Sequence, residues 1–116
     1  MYEFPSDFDP TVFVGRELGQ VTFGANVIVL GCDNDLTVSV SGSLPYEDGT
    51  GSAWVDRPPV QSTAVVQFVG KVVLTAQLRS VKELLLGFER GSITLLDESE
   101  HYESFLIEDC GREIVV

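Results

Sequence analysis

The residue pattern predicts an α+β fold that is mostly β: a curved antiparallel sheet or partly open barrel of about seven or eight strands, with one or two short helices. A β-sandwich is the alternative. Three observations carry the prediction. Short runs rich in Val, Ile, Leu and Thr recur along the chain. Turn residues punctuate them at close intervals. The connections are too short for the crossovers of a parallel sheet, so the pairing is antiparallel. With 116 residues, 1–116 reads as one domain, long enough to hold a core without metals or cross-links.

Residues 1–10 are acidic and aromatic. Asp9 before Pro10 reads as an N-cap with proline in the first turn, and Gly15 as its end. Val12, Phe13 and Val14 would then plug the end of a sheet; an irregular lead-in is the equal alternative. Leu18, Val21 and Phe23 mark a first strand, and Gly24-Ala25-Asn26 a turn. Val27–Leu30 is a continuous apolar run, suited to a strand buried on both faces or covered by a helix. After the turn Asp33-Asn34-Asp35, Leu36, Val38 and Val40 alternate with polar residues as a half-buried strand. These three strands form a meander.

Residues 42–59 carry the densest turn chemistry, including Pro45, Asp48, Gly49, Gly51 and Pro58-Pro59. They read as a long loop with one short edge strand around Ser52–Val55. Tyr46 and Trp54 lie inside it. Residues 60–70 read as a short helix, capped by Ser62 or Thr63 and closed by Gly70, with Val65, Phe68 and Val69 on one face. Their β-branched content suits a strand instead, but Lys71–Leu78 already reads as one. Arg79-Ser80-Val81 is a connection, and residues 82–89 form the next strand. Glu89-Arg90-Gly91-Ser92 is a hairpin turn, with Gly91 supplying a positive φ. Strands follow at Ile93–Leu96 and Phe105–Ile107, and Cys110-Gly111 turns into a closing strand, Arg112–Val116. Ile114, Val115 and Val116 are apolar to the last residue, so they must be buried in the sheet or against a neighbour.

Chemistry-bearing motifs are missing. There is no G-x-x-x-x-G-K-[ST], no G-x-G-x-x-G and no G-x-S-x-G. His101 is the one histidine, and nothing local brings Cys110 to it. Asp97, Glu98, Glu100, His101 and Glu103 gather oxygen ligands with a histidine, but their spacing is neither that of an EF-hand nor H-E-x-x-H. A glycosidase-like carboxylate pair carries no weight among 18 acids, some of which must lie close together. The chain is therefore expected to be no enzyme and to need no metal or cofactor. Cys32 and Cys110 read as two reduced thiols, with a mutual bridge or a reactive thiol as alternatives.

Charge is more informative. There are 18 acidic residues against 7 basic ones, a net charge of −11. Such a surface disfavours nucleic acid and anionic lipid and steers basic proteins toward it. The N-terminus lacks a basic segment followed by an apolar run, and no stretch approaches the ~18 apolar residues of a membrane span, so the expected location is the cytoplasm. Residues 97–109 hold six acids and no Lys or Arg. A merely solubilising surface explains the same charge. As a contact surface, the expected partner-binding residues are Asp97, Glu98, Glu100, His101, Tyr102 and Glu103, with Tyr46 and Trp54 as apolar anchors.

The string His101-Tyr102-Glu103-Ser104-Phe105, with Ile107 and the ending Arg112–Val116, resembles a family of small acidic bacterial α+β proteins that constitutes a domain of unknown function. Val14-Gly15, Gln20–Gly24 and Val27–Leu30 fit the same pattern. The resemblance spans about two-thirds of the chain and excludes residues 42–59. It rests on strand and turn residues, so it transfers no catalytic assignment. Proteins of this look recur among the immunity proteins of bacterial toxin systems, which implies a module that neutralises a basic protein partner by occlusion. The alternatives are a small-ligand-binding protein with a pocket in its curved sheet and a homo-oligomeric structural protein. An anionic ligand would require Arg57, Lys71, Arg79 or Lys82 to converge.

Overall fold

The computed structural model of the chain describes residues 2–41, 44–49, 51–55, 65–97, 104–109 and 111–116. Among them, ten strands and two 3-10 turns form. In chain order these are η1 Pro10–Phe13, β1 Leu18–Phe23, β2 Ile28–Cys32, β3 Leu36–Val40, β4 Leu44–Glu47, β5 Ser52–Val55, η2 Val65–Phe68, β6 Thr75–Ser80, β7 Glu83–Gly87, β8 Ser92–Leu96, β9 Phe105–Asp109 and β10 Arg112–Val115. The mostly-β, antiparallel expectation holds. The strands form two five-stranded sheets, β1-β2-β3-β9-β10 and β5-β4-β8-β7-β6, in place of one curved sheet or barrel. The inward residues of both sheets belong to one hydrophobic core, as in the sandwich alternative.

Local chemistry accounts for the elements. The Asp9 side chain accepts from Thr11 N at 3.0 Å and from Thr11 Oγ1 at 2.6 Å, capping η1. Those bonds, the hydroxyl's first, hold the Asp9 carboxyl below its usual range. Phe13 is fully buried, but Val14 turns outward and plugs nothing. Leu18 and Val21 are three apart, yet both pack on the core. A register irregularity between Leu18 and Gln20 supplies the extra residue that brings them to one face. In β2 only Ile28 and Leu30 are buried, so the apolar run at 27–30 covers one face and not two.

Two expectations for the middle of the chain are revised. The turn-rich stretch 42–59 contains β4 as well as the anticipated β5. Pro45 is tolerated there because it lies near the start of β4, ahead of Tyr46 and Glu47, the two positions that pair with β8. The expected helix near 60–70 is a single 3-10 turn. Its three-residue repeat aligns Val65 with Phe68, both buried, and leaves Val69 exposed. Ser62 and Thr63 lie outside the described residues. β6 starts only at Thr75 and continues through Arg79 to Ser80, because residues 70–73 pair elsewhere.

Those residues tie the sheets together. Glu17 and Val72 form an antiparallel bridge, flanked by Gly70 N→Leu18 O at 2.7 Å and Val73 N→Arg16 O at 2.8 Å. At the opposite corner the chain crosses from β3 to β4 and returns from β8 to β9. Because β3 pairs with β9 and β4 with β8, a two-stranded ribbon bends from one sheet into the other. Ser41 N donates to Ser104 O at 2.9 Å at this bend. The C-terminus closes the same region: Val116 is fully buried, and its N–H donates to Phe105 O at 3.0 Å. Ile114 is buried too, so this apolar ending is accommodated within the chain and needs no neighbour.

At the far end of the second sheet, the β7–β8 turn packs directly on the β4–β5 turn. Gly91 has φ +96°, and a Cβ there would collide with Glu47 O and lie 3.1 Å from the Phe68 ring. Gly91→Ala is expected to cost more than about 1 kcal/mol. Gly51→Ala meets open space and is expected to stay within about 0.5 kcal/mol of wild type. Urea unfolding of the two variants measures the difference.

Candidate functional site

The bend between the sheets flanks the stretch of chain that holds most of the expected contact residues. β8 ends beside the start of β4, which pairs with the end of β5. The strand ends leading into residues 42–43, 56–64 and 98–103 therefore leave the second sheet at one end, the corner end. Glu98, Glu100, His101, Tyr102 and Glu103 lie outside the described residues. Their flanks, Asp97 and Ser104, are described, buried, and joined by a 2.8 Å hydrogen bond from Ser104 Oγ to Asp97 Oδ1.

Asp97 is a structural residue and not the surface contact anticipated. Its other oxygen accepts the Glu3 N–H at 3.0 Å, and its own N–H donates to Lys82 O at 2.8 Å. It thus fastens the N-terminal segment and the β6–β7 turn to the base of the acidic stretch. Burial pushes the Asp97 carboxyl up, but the hydrogen bonds donated to it, those of Ser104 and Glu3 N–H among them, outweigh this and hold it below the usual carboxylate value. The N-terminal segment is further pinned by Phe4 N→Val81 O at 2.7 Å. The Phe4 ring packs at a tilt against Phe8 at 5.0 Å and against Phe105 at 5.4 Å.

The two expected anchors part company. Tyr46 is buried, its ring edge-on to Phe68 at 6.3 Å, because β4 alternates Leu44 and Tyr46 into the core. It cannot anchor a partner from there. Trp54 is 56% exposed on the outer face of edge strand β5. Its cross-strand partner Pro45 and, two strands further on, the pair Leu85–Thr94 extend that face. No described helix covers it.

Sequence reasoning missed Arg16. Its guanidinium donates to Asp33 O at 3.0 Å and Asn34 O at 3.1 Å and lies 3.4 Å from the Asp109 carboxylate. It clamps the β2–β3 turn, where Asn34 and Asp35 take positive φ. A lone arginine before a strand carries no sequence signal for such a role. Beside it, Cys32 is part-buried; burial, then the Asp33 charge, push its thiol up to about 11, against a smaller opposing effect of Arg16. The thiolate is thus scarce at neutral pH, which favours the inert reading of this cysteine. Cys110 lies outside the described residues. Among the described residues no cluster of three metal-ligating side chains forms, and no helix is long and apolar enough to cross a membrane.

Compared with known proteins, the chain matches no family model, and neither a curated protein nor a solved structure shows significant similarity to it.

Proposed function

We propose that the chain is a non-enzymatic binding protein that occludes a basic protein partner, in the manner of a toxin-neutralising immunity protein. The contact is the corner end of the second sheet. The observation that carries this reading is the position of Trp54. A large aromatic ring stands exposed on a sheet face that no described helix covers, at the end of the sheet where β8 leads toward Glu98, Glu100 and Glu103. An exposed aromatic anchor together with a sequence run of charge of one sign is the composition of an interface hot spot with electrostatic steering. The net charge of −11 supports a basic partner. Tyr46 and Asp97 are buried and do not belong to the contact.

The test is affinity capture from the source lysate, with elution in rising salt, using wild type, Trp54→Ala and Glu98→Lys/Glu100→Lys. Wild type is expected to release one basic protein at a defined salt step. Trp54→Ala is expected to weaken its capture about tenfold or more. The charge reversals are expected to release it at lower salt. Equal retention by all three proteins overturns the assignment of this surface, and an empty wild-type eluate overturns a protein partner in that lysate.

A further inference from the structure

The other end of the second sheet carries a groove of about 510 Å³. That falls within the range of small-molecule sites, roughly 300–1,000 Å³. Phe68 from η2 and Phe88 at the end of β7 form its floor, their ring centroids 4.8 Å apart. Both rings are mainly buried and fixed by packing, Phe68 by Tyr46 and by Gly91. Four charged side chains line the walls. Lys71 follows η2, Glu89 and Arg90 occupy the β7–β8 turn, and Asp48 occupies the β4–β5 turn.

The charges set the ligand. Among 7 basic residues facing 18 acidic ones, two converge here. Of the bases the sequence singled out for an anion, Lys71 is present and is joined by Arg90; Arg79 and Lys82 do not line the groove, and Arg57 lies outside the described residues. Arg90 reaches the groove by lying across Gly49, where a Cβ would collide with its Nε. Two carboxylates, Asp48 and Glu89, balance the two cations. A purely anionic ligand would meet repulsion from them, and a purely cationic one repulsion from Lys71 and Arg90. The aromatic floor requires an apolar body.

We infer that this groove binds a small zwitterion with an apolar body, an α-amino acid with an apolar side chain. Lys71 and Arg90 take its carboxylate, Asp48 and Glu89 its ammonium, and Phe88, packed on the buried Phe68 ring, its side chain. Charge-assisted hydrogen bonds at both ends supply orientation. Trp54 does not line the groove, and the inference does not rest on the partner reading.

The test is a titration of the ¹⁵N-labelled full chain with L-phenylalanine, L-tryptophan, L-leucine and L-methionine in turn, followed by amide shifts. At least one is expected to shift the amides of Phe68 to Lys71 and Phe88 to Gly91 saturably. For that amino acid, the analogue lacking the amine and the analogue lacking the carboxylate are each expected to bind about tenfold or more weakly. Lys71→Ala/Arg90→Ala is expected to keep the folded spectrum, since both side chains are exposed, and to lose the response. No saturable shift with any of the four at millimolar concentration overturns the inference. So does equal binding of either truncated analogue, or an unchanged response in the double variant.

Discussion

Replacing Phe68 by alanine is expected to lower the free energy of unfolding by about 3–5 kcal/mol. The ring is 1% exposed, contacts Phe88 and Tyr46, and lies 3.1 Å from the position a Gly91 Cβ would take, closer than ordinary van der Waals contact. It therefore joins η2, β4 and the β7–β8 turn in one contact. Truncation leaves a void between elements whose backbones are already tied by hydrogen bonds, so collapse cannot refill it. The cost is a large share of the roughly 5–15 kcal/mol that holds a domain together. Val66→Ala and Val69→Ala, in the same turn but exposed, are expected to change stability by less than about 0.5 kcal/mol. Urea unfolding distinguishes these values. Equal costs at Phe68 and Val69 would instead indicate an α-helix burying both residues on one face.

Asp97→Ala is expected to cost about 2–4 kcal/mol at neutral pH, since it strips an acceptor from the buried Ser104 hydroxyl and from the Glu3 N–H. Asp97→Asn keeps one oxygen acceptor and is expected to cost less. The effect depends on pH in a defined direction. The folded carboxyl titrates below its ordinary value of 3.8. Its contribution is therefore present in full above that value and fades as pH falls through the lowered folded value. The gap in urea midpoint between wild type and Asp97→Ala should be wide at pH 7 and narrow in strong acid. A gap that widens on acidification would mean that Asp97 is bound more tightly in its protonated form.

The strands and turns that obey local rules were legible in the sequence. Leu36–Val40 alternates because one face is buried and the other wet. The Asp9–Pro10 cap, the Gly70 stop and the Gly91 turn declare themselves through side-chain hydrogen bonding or positive φ. What was not legible depends on distant partners. β4 hid behind Pro45 and the glycines around it, because its pairing with β8 is set by Ser92 and Ile93, far along the chain. The division into two sheets follows from the ribbon bending at Ser41 and Ser104, which no window of sequence contains. Asp97 looked like part of a solvated acidic run. Its burial comes from the N-terminal segment folding over it, through Glu3 and Phe4. Tyr46 looked exposed for the same reason that β4 was missed. Trp54 was placed correctly at an edge strand because that strand needs only its hairpin partner.

The proposal that the corner end of the second sheet meets a basic partner is tested most directly by association kinetics. The captured partner would be mixed with wild type and with Glu98→Lys/Glu100→Lys over a range of salt concentrations. Steering by the acidic residues predicts that the wild-type on-rate falls steeply with salt, and that the reversed variant associates about tenfold or more slowly at low salt with a flattened salt slope. On-rates and salt slopes that coincide for the two proteins would contradict it, and would place the contact away from residues 98–103.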